Sequence, residues 1–232
     1  GEDPIEAVKI LLSGALGSAE AIGYTLYYTT SLIFTGLAVA VAFHAGLFNI
    51  GGEGQAYVGG LGVGVVVLAL DSILPGWLLI VAAVFCGAAF GALWGFVPGY
   101  LQARRGSHIV ITTIMFNFIA SALMVYMMVN VLIMPGQMTP HSREFAPQSW
   151  LPFAHDIAAD VGFDMPSSPL NLAFLLALLC CVLVWLLIWR TRLGYAIRVV
   201  GRSDRGAVYA GIDPARIVMW AMAISGGLAG LM

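Results

Sequence analysis

Phe48-Asn49-Ile50-Gly51-Gly52-Glu53-Gly54-Gln55 decides how this chain is read: it is a polar, glycine-broken octet between two apolar runs. No acidic or basic charge precedes it back to Glu20, and none follows Glu53 until Asp71. Three glycines in four positions give up more backbone entropy than a helix tolerates cheaply, so the octet predicts a break or kink. Non-helical backbone at membrane depth survives only where protein or water covers it. A break carrying Asn49, Glu53 and Gln55 therefore reads as the lining of a polar cavity, or as an ordinary cytoplasmic turn between two spans.

The flanking composition sets the class. Of 232 residues, 60% are hydrophobic and 9% charged, with a mean hydropathy of +0.94, which excludes an ordinary soluble domain. A spanning helix needs about 20 apolar residues, and several such runs are separated by short charged stretches. The expected fold is all-α, a polytopic helical membrane protein with about six spans, a glycine-broken helix and a short cytoplasmic helix. A net charge of −2 leaves no nucleic-acid footprint. Cys86, Cys180 and Cys181 sit in apolar runs, where cysteine is a small packing residue and implies neither metal site nor disulfide framework. With no initiator Met, and Met232 inside an apolar run, the sequence reads as a fragment of a longer protein.

Outward from the octet on the N-terminal side, the first span is expected over 21–43. Before it lies an acidic segment with Glu2, Asp3, Glu6 and Glu20, whose modestly amphipathic 5–16 stretch suits an interface. On the C-terminal side, 56–70 reads as a short second span and 77–101 as a third. In the third, Gly87, Gly91, Gly95 and Gly99 recur every four residues, so they share one face and let a neighbouring helix approach. Gln102 to His108 is a basic hairpin with Arg104 and Arg105 and no acid. The fourth span, 109–134, carries Thr112, Thr113 and Asn117; Thr113 and Asn117 share a face, either as interhelical glue or as a solute contact. A proline-rich loop over 135–169, with Glu144, Asp156, Asp160 and Asp164, leads into a fifth span over 170–189.

Beyond it, 190–216 holds six arginines, Arg190, Arg192, Arg198, Arg202, Arg205 and Arg216, against Asp204 and Asp213, before a sixth span starts at Ile217. Placing 104–105 and 190–216 inside and 135–169 outside puts eight of the ten basic residues on the cytoplasmic face. Within this loop, Ser203 to Ile212 begins with cap-competent residues and ends at Gly211, a suitable helix C-cap. It reads as a short helix that either anchors topology through its arginines or docks a partner.

Several chemistries lack their residues. The only lysine is Lys9, so no phosphate-binding loop of the Gly-x-x-x-x-Gly-Lys type exists. The four histidines show no metal-protease spacing, and no Gly-x-Ser-x-Gly elbow occurs. An enzyme working inside the membrane is not expected, and the chain is expected to hold no metal and no cofactor of its own.

Three motifs together are recognisable: the octet at 48–55, Ile111-Thr112-Thr113-Ile114-Met115-Phe116-Asn117-Phe118-Ile119-Ala120, and Gly194-Tyr195-Ala196-Ile197-Arg198 with Ala210-Gly211-Ile212. The chain resembles, over essentially its whole length, permease subunits of ATP-binding-cassette importers, in the branch taking up nucleosides and ribose-type sugars. The resemblance implies a single transmembrane permease domain over 1–232 in a bacterial-type inner membrane. It implies a second permease subunit, an extracytoplasmic substrate-binding protein, and cytoplasmic ATPase subunits that carry ATP and magnesium; lipid surrounds the whole. Asn49, Glu53, Gln55, Thr113 and Asn117 are the candidate pathway or gate residues. Ser203, Asp204, Arg205, Ala207, Tyr209 and Gly211 form the candidate coupling helix. The alternative is an ion-coupled secondary transporter, which also uses broken helices and buried carboxylates.

Overall fold

The computed structural model describes residues 3–163 and 165–232; Glu2 and Asp164, counted above among the acidic residues, lie outside the described residues. Ten α-helices run through them: α1 Pro4–Leu16, α2 Ala19–His44, α3 Gly52–Leu70, α4 Gly76–Arg105, α5 Ile109–Tyr126, α6 Ala154–Asp160, α7 Ala173–Arg190, α8 Arg192–Arg202, α9 Asp204–Tyr209 and α10 Pro214–Ala229. Among the described residues, five helical stretches are long and apolar enough to cross a membrane: α2, α3, α4, α5 with its π-helical extension to Val131, and α7. α10 is apolar but has only 16 residues, so it is shorter than a standard span. The fold is that of a multi-pass, all-helical membrane protein.

The chain packs as two units, Gly1–Ile33 with Leu151–Cys180, and Phe34–Trp150 with Cys181–Met232. In the first, Asp3 caps α1 by accepting from Ile5 N–H at 2.9 Å, and Pro4 fills the first helical position, where no N–H is needed. Thr25 of α2 donates to the Ala15 carbonyl at 2.8 Å, tying the two helices together. The fifth span starts three residues later than its hydropathy suggested. An antiparallel bridge between Phe153 and Asn171, with Ala154 N–H bonded to Leu170 O at 2.8 Å, holds 170–172 out of the helix. Asn171 then accepts from Ala173 N–H at 2.9 Å and starts α7.

The second unit is centred on α3, α4 and α10. Gly87, Gly91, Gly95 and Gly99 of α4 lie against α10, where Gly226 and Gly230 lack side chains in turn. A Cβ at Gly91 would sit 2.8 Å from Gly230 Cα, and one at Gly95 2.6 Å from the Met222 carbonyl. Both are inside any tolerable contact, so the backbones touch directly. Gly59 of α3 approaches the same Gly230, which brings three helices to one point. Hydrocarbon gives helices no hydrophobic reason to associate, and close packing of this kind replaces it.

At the far end of α3, Asp71 accepts two bonds from the Arg143 guanidinium, at 2.7 and 2.9 Å, while Arg143 also donates to Leu68 O at 2.6 Å. Gln148 bonds the Asp71 carbonyl, so the 143–148 segment is fastened to the α3–α4 turn. The bidentate pair holds the Asp71 carboxyl below its ordinary value of 3.8, against the opposing effect of burial. A lowered native pKa means that its contribution is present above the unfolded value and is lost as pH falls through the folded one. Asp71→Asn should therefore free this segment at neutral pH, whereas the wild-type protein should release it only below about pH 4. Thiol labelling of a cysteine at Ser149 across pH reads the release; equal labelling of both proteins at pH 7 would show that the clamp holds nothing.

Candidate functional site

The break between the first two spans begins within a residue of where it was expected, after residue 43, but is shorter: it covers 45–51. α2 ends at His44 because Gly46 adopts φ +73, and the next two N–H groups fold back: Gly46 to Phe43 O and Leu47 to Ala42 O, both at 3.0 Å. That is the Schellman arrangement, with glycine at the left-handed position. Gly201 of α8 packs on it, since a Cβ there would lie 2.9 Å from Gly46 N. Sequence reasoning overlooked Gly46, although an apolar helix followed by Ala-Gly-Leu is a legible stop. The octet is then divided: 45–51 is the break, and Gly52, Glu53, Gly54 and Gln55 are already the first turn of α3. The second span begins four residues earlier than expected, because glycine costs least in a first turn, where the helix is only being entered.

Four of the five pathway candidates are turned into this break. Gly51 stands at the N-cap with no side chain to offer, so the cap comes from α5. Asn117 accepts from Gly54 N–H at 2.9 Å and donates to Ile50 O at 2.9 Å, satisfying one backbone group on each side of the cap. A Cβ on Gly54 would lie 2.9 Å from Asn117 Cα, which is why this position is glycine. Asn49, buried, accepts from Gly51 N–H at 2.8 Å and exchanges bonds with Gln55 at 3.0 and 3.2 Å. It also donates to Ser225 Oγ of α10 at 2.8 Å, and Ser225 donates onward to Ala38 O at 2.7 Å. Ser225 was not singled out by sequence reasoning; a lone serine before Gly226-Gly227 carries no local signal. Thr113 is fully buried and returns its hydroxyl to Ile109 O at 2.8 Å, within its own helix.

Glu53 differs from these four. It is exposed, and it has no hydrogen bond or ion pair among the described residues. With Tyr57 one turn later, Thr35 and Val39 of α2, and Met232, it lines a cavity of about 480 Å³ beside the break. The arrangement is an internally satisfied polar knot with one unpartnered carboxylate on its open side.

The candidate coupling helix is α9. Ser203 caps it by accepting from Gly206 N–H at 3.1 Å, and Asp204 lies in its first turn, where a negative charge is favoured. Ala207 faces inward and is fully buried with Ile197, Val200 and Ile217. Val208 and Tyr209 face outward, at 62% and 94% exposure, so they and not Ala207 are available to another protein. Arg205 is exposed beside them, and Gly211 takes φ +75 to leave the helix.

The guanosine ABC transporter permease protein NupP of Bacillus subtilis (strain 168) is 38% identical over 221 residues, covering 95% of this chain and 61% of the relative. The nucleoside ABC transporter permease protein NupB of Lactococcus lactis subsp. cremoris (strain MG1363) is 35% identical over 239 aligned positions, covering 100% and 63%. The glucose ABC transporter permease protein TsgB13 of Haloferax volcanii is 28% identical over 230 positions, covering 99% and 60%. The chain thus spans about six-tenths of the length of these curated relatives. No solved structure matches it. The family described as branched-chain amino acid transport system / permease component matches residues 21–232, and with an all-helical multi-pass fold over the same residues, the chain belongs to that family.

Proposed function

We propose that the chain is the membrane permease subunit of an ATP-binding-cassette importer that carries a small neutral solute, a nucleoside or simple sugar, across a bacterial-type inner membrane. The observation that carries the reading is the unpartnered Glu53 in a largely apolar cavity beside a broken helix. An ionisable side chain left free at membrane depth marks a solute path by default. An apolar cavity with a few convergent polar groups is also the usual form of a small-molecule site. The named relatives supply the substrate class. In this reading the knot of Asn49, Gln55, Thr113 and Asn117 holds the path's wall rigid, and Glu53 meets the solute or shapes its entrance.

In this reading ATP and magnesium are bound by a partner ATPase that docks on the outward residues of α9. The stretch 190–216 faces the cytoplasm, and 135–169 faces a binding protein outside. A second permease copy or homologue completes the pathway. The test is nucleoside uptake into proteoliposomes holding the full-length permease, its ATPase and its binding protein. Glu53→Gln should reduce uptake several-fold and Glu53→Leu should abolish it, with unfolding temperature unchanged in both. Tyr209→Arg, which disturbs no packing within this chain, should lower uptake at least tenfold and weaken ATPase retention. Uptake that persists without any ATPase would replace this reading with an ion-coupled carrier.

A further inference from the structure

The end of α7 carries Trp185 and Trp189 four residues apart on one face, each about half exposed. An arginine lies over each ring: Arg190 at 5.4 Å from the Trp185 centroid and Arg198 at 4.6 Å from that of Trp189, both within cation–π range. A cation–π contact takes up none of the guanidinium's N–H donors, which remain for other acceptors. Arg198 gives one of them to Gly194 O at 3.4 Å. Among the described residues no carboxylate pairs with Arg190, Arg198 or Arg202, the ion pairs there being Arg143–Asp71 and His155–Asp156.

Beside these groups is a cavity of about 270 Å³ lined by Phe43, His44, Trp189, Arg198, Gly201 and Arg202. His44 Nδ1 lies 2.8 Å from Ala40 O, and its ring meets Trp189 edge-on at 5.9 Å. A carbonyl only accepts, so Nδ1 carries a proton, and in the neutral ring Nε2 is an acceptor. The cavity therefore offers two cationic donors and one acceptor side by side. α2 and α8 both end here, and a basic last turn is ordinary compensation for exposed carbonyls. Compensation alone does not require two arginines held over two indoles and a third, Arg202, lining the same cavity without a carboxylate partner.

The neighbouring surface decides between a free anion and a lipid. Val182 and Trp185, seven and four residues before Trp189 and so on its face, are exposed on α7, a helix long and apolar enough to cross a membrane. A ligand that meets both the cavity and this face carries an anionic head and hydrocarbon tails. We propose that this corner binds the headgroup of an anionic glycerophospholipid: Arg198 and Arg202 donate to its phosphodiester, and His44 Nε2 accepts from a headgroup hydroxyl.

The test is native mass spectrometry of the full-length permease with its ATPase, delipidated and then supplied with equal phosphatidylglycerol and phosphatidylcholine. The wild-type complex should bind phosphatidylglycerol preferentially, and Arg198→Gln with Arg202→Gln should weaken it roughly tenfold or more. Arg104→Gln with Arg105→Gln removes the same charge elsewhere and should change nothing. Equal phosphatidylglycerol binding by the wild-type and the 198/202 pair overturns the proposal. So does displacement of the lipid by excess inorganic phosphate, which would make the corner a simple anion site. Loss of the ATPase with lipid binding intact would assign the corner to that subunit instead, and also overturns it. If the glutamine pair does not yield a folded complex, Arg198→Lys with Arg202→Lys keeps the charge and loses the planar fork. Affinity should then fall about threefold, and an unchanged value counts against the proposal. No arm of the experiment depends on the transported solute.

Discussion

Gly91→Leu should leave almost no folded permease. The side chain would enter a contact in which a Cβ alone lies 2.8 Å from Gly230 Cα and 2.9 Å from Gly230 N, both backbone atoms that cannot swing aside. Overfilling a packed contact costs about 1–3 kcal/mol where side chains can adjust, and more where only backbone can. α4 and α10 would have to separate, and the same Gly230 also receives Gly59 of α3, so one side chain disturbs three helices. Gly60→Leu is the matched control: it lies one residue from Gly59 but is exposed, with nothing within 4 Å of its Cβ position. Thermal unfolding of detergent-solubilised full-length protein should show Gly60→Leu near the wild-type midpoint and Gly91→Leu unfolded or aggregated. Comparable midpoints for the two would mean that the α4–α10 contact is not what holds the unit together.

These glycines also show how far sequence alone reaches. A four-residue period says which face of α4 lacks side chains, because helical geometry fixes that locally. It does not say which helix fills the groove. Gly226 and Gly230 sit among Ser225, Gly227 and Ala229, and several faces of α10 look equally small. Span positions were legible from hydropathy, since about 20 apolar residues have one economical solution in a bilayer. Their ends were not, because those are set by long-range partners: Asn117 caps α3 from 63 residues away, and the Phe153–Asn171 bridge delays α7. α8 was missed as a separate helix for a related reason. It follows α7 after a single residue, and the turn is possible because Gly194 lets the backbone pass where a Cβ would lie 2.5 Å from Ile188 O. The polar residues of the break could be named from their types, but whether each turns inward or toward the cavity follows from helix phase about the break. Starting the second span at Gly52 instead of residue 56 changes that phase.

Asn49→Leu should be the most destabilising polar substitution in the chain. The amide is 5% exposed and makes four hydrogen bonds, to Gly51 N–H, twice to Gln55, and to Ser225. Leucine has nearly the same volume, so no large cavity forms and the loss is almost purely polar. What remains is a buried Gly51 N–H, a buried Gln55 amide and a Ser225 oxygen one donor short. Each unsatisfied group costs about 1–3 kcal/mol, which puts the total at roughly 4 kcal/mol or more. No water in the hydrocarbon core would rescue them cheaply. Ser225→Ala, by contrast, removes one Asn49 bond and the bond to Ala38 O, and should cost about 1–2 kcal/mol. Unfolding midpoints of the two single variants and the double variant form a cycle. The double should be less destabilised than the sum of the singles, because Asn49 and Ser225 lose part of the same interaction. Strict additivity would mean that they act independently, and a wild-type midpoint for Asn49→Leu would mean that the break is held by packing and not by this amide.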